Sequence, residues 1–110
     1  METALSKDGV KFLATLYKDY LDRCKAGMGK EHAAYFGSSK DIQQRLVPNE
    51  LLEDVDETIR ELDQAQMVDV LYADDTVYDC SLSDFAIIYM ENRFKNGAKD
   101  VLDLLSKFIP

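Results

Sequence analysis

The stretch from Asn49 to Asp84, NELLEDVDETIRELDQAQMVDVLYADDTVYDCSLSD, decides how the chain is read. Leu52, Val55, Ile59 and Leu62 recur at i, i+3, i+7 and i+10, the apolar stripe of an amphipathic helix that begins at Glu50. Asn49 is placed to cap it. Pro48 ends whatever comes before, because its ring disfavours helical geometry at Val47 and removes a donor. Two runs rich in β-branched and aromatic residues follow, Met67 to Tyr72 and Val77 to Leu82, and the intervening ADDT makes them a hairpin. A two-residue turn at Asp74 and Asp75 pairs Tyr72 with Val77 and puts Met67, Leu71, Tyr78, Cys80 and Leu82 on one face; a longer loop changes the pairing. From Glu50 to Asp84 there are twelve acidic residues and one basic residue, Arg60, so helix and hairpin share a strongly negative surface.

Working outward, Ser39 can cap a short helix over KDIQQRLV, in which Ile42 and Leu46 lie one turn apart. Before it, GKEHAAYFG suggests a short helical turn around Ala33 to Phe36, bounded by Gly29 and Gly37. The segment from Ser6 to Ala26 carries Val10, Leu13, Tyr17, Tyr20, Leu21 and Cys24 at helical spacing, and Gly27 is placed to stop this long helix. On the other side, Ser83 caps a helix from Asp84 to about Asn96, with Gly97 as its stop. Val101, Leu104, Leu105 and Phe108 then mark a last amphipathic helix over about 98–109. That stripe has to be covered, by the first helix or by a second copy, and a homodimer built from the first and last helices is the expectation.

The chain of 110 residues reads as one domain, 1–110, with a core over about 6–96; 46% hydrophobic content suffices to build it. The net charge of −8 is unevenly spread, since outside Glu50 to Asp84 twelve basic residues face nine acidic ones. Cys24 and Cys80 form no CxxC pair, so neither a disulfide framework nor a zinc knuckle is indicated, and reduced thiols in the cytoplasm are expected. No run approaches the roughly 20 apolar residues of a spanning helix, so no membrane association is expected. KAGMGKE has Gly29 and Lys30 but fails the Walker A pattern, because Cys24 and Glu31 stand where glycine and Ser or Thr are needed. His32, the single histidine, has no oriented partner in the sequence. No catalytic residue, cofactor or metal ligand is assigned, and the expectation is a protein that is not an enzyme.

The order helix, short helix, tight turn at VPN, longer helix, hairpin, helix resembles the winged helix-turn-helix superfamily over roughly Ser6 to Asn96. LSDFAIIYMENRF is similar to the segment that leaves the wing in small bacterial winged-helix proteins, with Leu82 and Ser83 as the hydrophobic and capping residues and Ala86 where a glycine is usual. The flanking helices look, in placement, like the dimerisation helices of MarR-like and PadR-like regulators. The resemblance implies a mostly α fold with a small β-hairpin. It also implies a reading helix whose N-terminal side chains meet base edges and a wing that reaches the DNA backbone with basic residues. Here those positions hold Glu50, Glu53, Asp54 and Glu57 on the helix and Asp74 and Asp75 at the wing tip. Acids so placed repel phosphates, where affinity normally comes from counterion release by Lys and Arg. They also have plainer explanations: a solvated helix face is charge-rich, and Glu50, Glu53 and Asp54 suit the positive end of the helix dipole. Two functions follow from the residues. The favoured one is a regulatory or interaction module whose acidic helix and wing meet a basic protein. The alternative is a DNA-binding transcriptional regulator using Lys30, Lys40, Arg45, Arg93, Lys95 or Lys99, outside the usual reading helix.

Overall fold

In the computed structural model, which describes residues 5–109, six helices surround a three-stranded antiparallel sheet. Helix α1 (Lys7–Lys25) buries Phe12, Leu13, Ala14, Leu16, Tyr17 and Tyr20 along one side. Its start is doubly fixed. The Ser6 hydroxyl accepts from the Gly9 N–H at 3.0 Å, while Glu61 accepts from the Ser6 N–H at 2.7 Å and from the Ser6 hydroxyl at 2.8 Å. Gly9 leaves room for that carboxylate: a Cβ there would lie 2.5 Å from Glu61 Oε2. After α1, Gly27 takes φ +99°, a left-handed conformation that glycine adopts without steric cost.

The next segment corrects the expected turn around Ala33 to Phe36. Helix α2 (Lys30–Ala33) is earlier, and Tyr35 and Phe36 belong to strand β1 (Tyr35–Gly37). Phe36 turns inward while Tyr35 stays exposed, the period-two alternation of a strand that so short a run cannot display in sequence. Helix α3 (Ser39–Leu46) is capped by Ser38, not Ser39, in a reciprocal box with Asp41. Ser39 is instead the first helical residue and is buried.

Helix α4 (Leu52–Gln64) begins two residues later than the sequence suggests, with Leu51 at the cap and no side-chain cap bond. Asn49 does not cap it: Pro48 and Asn49 form a turn closed by the Glu50 N–H donating to the Val47 carbonyl at 3.0 Å. Gln43 Nε2 holds that turn by donating to the carbonyls of Pro48 and Glu50, at 3.2 and 3.1 Å. Val55, Ile59 and Leu62 are fully buried, whereas Leu52, expected on the same stripe, is 44% exposed and lines an open groove with Ser39 and Thr76. At the other end Gln66 adopts φ +63°. Its N–H donates to Asp63 and that of Met67 to Leu62, both at 2.9 Å, the paired bonds of a left-handed helix stop.

Strands β2 (Val68–Ala73) and β3 (Thr76–Leu82) form the hairpin, and the sheet order is β1-β3-β2. Asp74 and Asp75 sit at φ +52° and +60°, and Tyr72 pairs with Val77, the two-residue alternative. The expected face needs correction. Leu71 pairs with Asp79, so Tyr78 is an extra residue on β3, and this bulge resets the alternation. Val77 and Cys80, three apart, both point into the core, while Leu71 and Tyr78 are 57% and 59% exposed.

Ser83 closes the sheet onto two helices: its hydroxyl donates to the Gln66 carbonyl at 2.8 Å and accepts from the Ala86 N–H at 3.0 Å. It caps α5 (Asp84–Arg93), which stops three residues before Asn96 because Phe94 turns in to stack on Tyr17, with centroids 6.4 Å apart. Helix α6 (Ala98–Ser106) packs on α1. Val101 is fully buried there and Leu104 and Leu105 lie against the core, so the core does not end at residue 96. The first helix of the same chain covers the apolar stripe, and Val101 is closed to a second copy; Leu104, Leu105 and Phe108 keep part of their surface open.

Candidate functional site

The acids between Glu50 and Asp84 divide into two sets. The inward set holds the fold together, and Asp56 is its centre. Oδ1 accepts from the Val77 N–H at 2.9 Å and Oδ2 accepts from Arg60 Nε at 2.8 Å, with Ser39 nearby on the wall of the same groove. Partial burial alone would raise its pKa, but the bonds from Arg60 and Val77, with the Ser39 hydroxyl nearby, outweigh this and hold the carboxyl below its ordinary value. Asp56 thus joins α4 and β3, and by engaging the Val77 N–H it belongs to the geometry of the bulge. Asp63 accepts from the Tyr72 hydroxyl at 2.7 Å; burial and that bond push the tyrosine up to about 12. Asp79 accepts from the Tyr35 hydroxyl, which is likewise held above its usual value by that bond. Glu61 caps α1 as described.

Arg60, the segment's one cation, faces inward too. Nε is bound to Asp56, Nη2 donates to the Asp75 carbonyl at 2.6 Å, and the guanidinium lies 4.9 Å from the centre of the Tyr72 ring. The bond to Asp56 strengthens its hold on the proton. Its guanidinium thus fastens the hairpin turn onto α4, pairing with Asp56 and, at 3.8 Å, with Asp75.

The outward set contains all six residues singled out from the sequence. Glu53, Asp54, Glu57, Asp74 and Asp75 are exposed and Glu50 is half-buried. Among the described residues, none of Glu50, Glu53, Asp54, Glu57 and Asp74 has an ion-pair partner, while Asp75 has a 3.8 Å contact with Arg60. Glu50, Asp54 and Glu57 come together with Asp8 along a groove of about 850 Å³ between α1 and α4, whose lining also holds the cations Lys11 and Arg60. Glu53 lies on the other side of α4, beside a second groove of about 550 Å³ lined also by Ser39, Leu51, Leu52, Asp56 and Thr76. Asp74 and Asp75 form the hairpin tip. The sequence reading missed the leucines at the start of α4; Leu51, 63% exposed and outside the i, i+3 stripe, was the available signal.

The six alternative cations are dispersed. Lys30 opens α2, Lys40 and Arg45 stand near opposite ends of α3, and Arg93, Lys95 and Lys99 cluster along the chain where α5 passes into α6. Arg45 is bound to Asp19 at 3.0 Å, an acid it shares with Arg23, and both guanidinium groups approach the Phe36 ring. Cys24 and Cys80 are free thiols; burial, with Asp63, Asp69 and Asp79 adding to it, pushes Cys80 up to about 12. Among the described residues no three metal-ligating side chains come together, and no helix is long and apolar enough to cross a membrane. No family model, curated protein or solved structure matches the chain.

Proposed function

We propose that the chain is a winged helix-turn-helix interaction module, not a catalyst, whose acidic helix and wing receive a basic protein surface. The order α1, β1, α3, tight turn, α4, hairpin, together with sheet order β1-β3-β2, supports the winged-helix assignment. In that frame α4 takes the place of the reading helix and Asp74 and Asp75 the tip of the wing. One observation carries the functional reading: the outer carboxylates other than Asp75 lack ion-pair partners among the described residues, while Arg60 is bound to Asp56 and to the hairpin turn at Asp75. Bringing such a surface to phosphates loses hydration and adds like-charge repulsion, whereas a Lys- or Arg-rich protein surface complements it. The free thiols accord with a reducing, cytoplasmic setting. A homodimer within this proposal would use the open flank of α6, Leu102 with parts of Leu104, Leu105 and Phe108, because Val101 is enclosed.

Replacing Glu50, Glu53 and Glu57 together by lysine tests the reading. Fluorescence anisotropy with a labelled random-sequence duplex should show negligible binding by the native chain and salt-sensitive binding by the variant. Tight, sequence-specific binding by the native chain that the lysine variant loses would put the acids against bases. Carboxylates can accept from the cytosine amino group, so DNA would then be the partner.

A further inference from the structure

The second groove, beside Glu53, has an unusual lining. Most of its polar groups are already bonded within the chain, Asp56 to Val77 and Arg60 and the Thr76 hydroxyl to the Ala73 carbonyl at 2.8 Å, and Ser39 is only 5% exposed. What remains for a ligand is the apolar surface of Leu51 and Leu52, 63% and 44% exposed, and the carboxylate of Glu53, with Glu50 and Asp54 close by in the chain. Two leucines side by side at the entry of a helix, turned to water, leave apolar area uncovered that neither α3 nor the hairpin closes over.

We infer that this groove is the anchor point of the basic partner and takes a bulky aliphatic side chain from a segment in which that side chain is flanked by Lys or Arg. The inference rests on the proposed acidic interface and specifies its partner. Charge complementarity selects the occupant. An aliphatic side chain fills the space between Leu51, Leu52 and the turn end of the hairpin at Thr76, where Asp56 and the Thr76 hydroxyl are already bonded, and adjacent cations reach Glu53 at the rim. Apolar anchors surrounded by a charged rim concentrate binding energy in this way. Salt then weakens the rim contacts and leaves the anchor largely unaffected.

The test uses two labelled synthetic peptides, one Lys/Arg-rich with a central leucine pair and one identical except for serines in place of the leucines. Anisotropy is measured with the native chain, with Leu51→Ser/Leu52→Ser and with Leu51→Met/Leu52→Met. Both leucines are exposed, so urea midpoints should confirm that each variant folds. On the native chain the leucine peptide should bind about tenfold or more tightly than the serine peptide, the gain from covering one aliphatic side chain. The serine variant should lose that advantage while still binding the serine peptide as the native chain does, and the methionine variant should keep it. Equal binding of the two peptides by the native chain, or an advantage that survives in Leu51→Ser/Leu52→Ser, overturns the anchor and leaves the acidic interface standing. Binding of neither peptide overturns both. Self-association of the native chain that disappears in the serine variant makes the occupant a second copy, which also overturns the inference.

Discussion

Replacing Asp56 with alanine should damage the domain more than replacing any other acid between Glu50 and Asp84. The substitution strands the Val77 N–H, in a residue 2% exposed. Each buried donor left without an acceptor costs roughly 1–3 kcal/mol, and the half-exposed contact with Arg60 adds little. We expect Asp56→Ala to cost about 2 kcal/mol, a sizeable part of the ~5–15 kcal/mol that holds a domain of this size. Urea unfolding followed by far-ultraviolet circular dichroism should show the midpoint falling by about 1–2 M, with Glu57→Ala as the near-neutral control. Acid gives a second signature. Because the folded carboxyl is held below its ordinary 3.8, its contribution is fully present above that value and is lost as the pH falls from it towards the lower folded pKa. The gap between native chain and variant should therefore be constant at neutral and mildly acidic pH and close in stronger acid. A loss under about 0.5 kcal/mol, well below the cost of a stranded donor, or a gap that widens in acid, would refute the network.

Gln66→Gly should raise stability by about 1 kcal/mol, since Gln66 holds φ +63° where glycine is unstrained; thermal melts would show it, and no gain would deny the left-handed stop. Ser83→Ala should cost roughly 1–3 kcal/mol in urea, because it removes the cap of α5 and the donor to the Gln66 carbonyl together. With iodoacetamide at neutral pH, mass spectrometry should find Cys24 labelled in the native chain and Cys80 protected until unfolding, as burial and a pKa of about 12 require.

Long-range bonding explains what the sequence could and could not disclose. The stripe of Val55, Ile59 and Leu62 and the cap at Ser83 are local periodicities, and both are visible in the letters. The turn at Asp74 and Asp75 was legible as well, but the bulge at Tyr78 was not, because the Val77 N–H leaves the ladder for a carboxylate 21 positions away. Strand β1 is too short to show alternation and owes its conformation to pairing with β3. In the site, the identity of the outer acids could be read directly. Their separation from Asp56, Glu61, Asp63 and Asp79, which face bonding partners, depended on contacts between distant segments. So did the inward commitment of Arg60 to the hairpin turn, 15 positions on.

The most direct measurement is a pair of amide nitrogen–proton chemical-shift titrations of the native chain at physiological salt, one with a Lys/Arg-rich peptide and one with a random-sequence duplex. With the peptide we expect shifts concentrated at Glu50 to Glu57 and at Asp74 and Asp75, reversed by added salt, and with the duplex no shifts at those amides. Shifts at those amides with the duplex and not with the peptide would contradict the proposed partner.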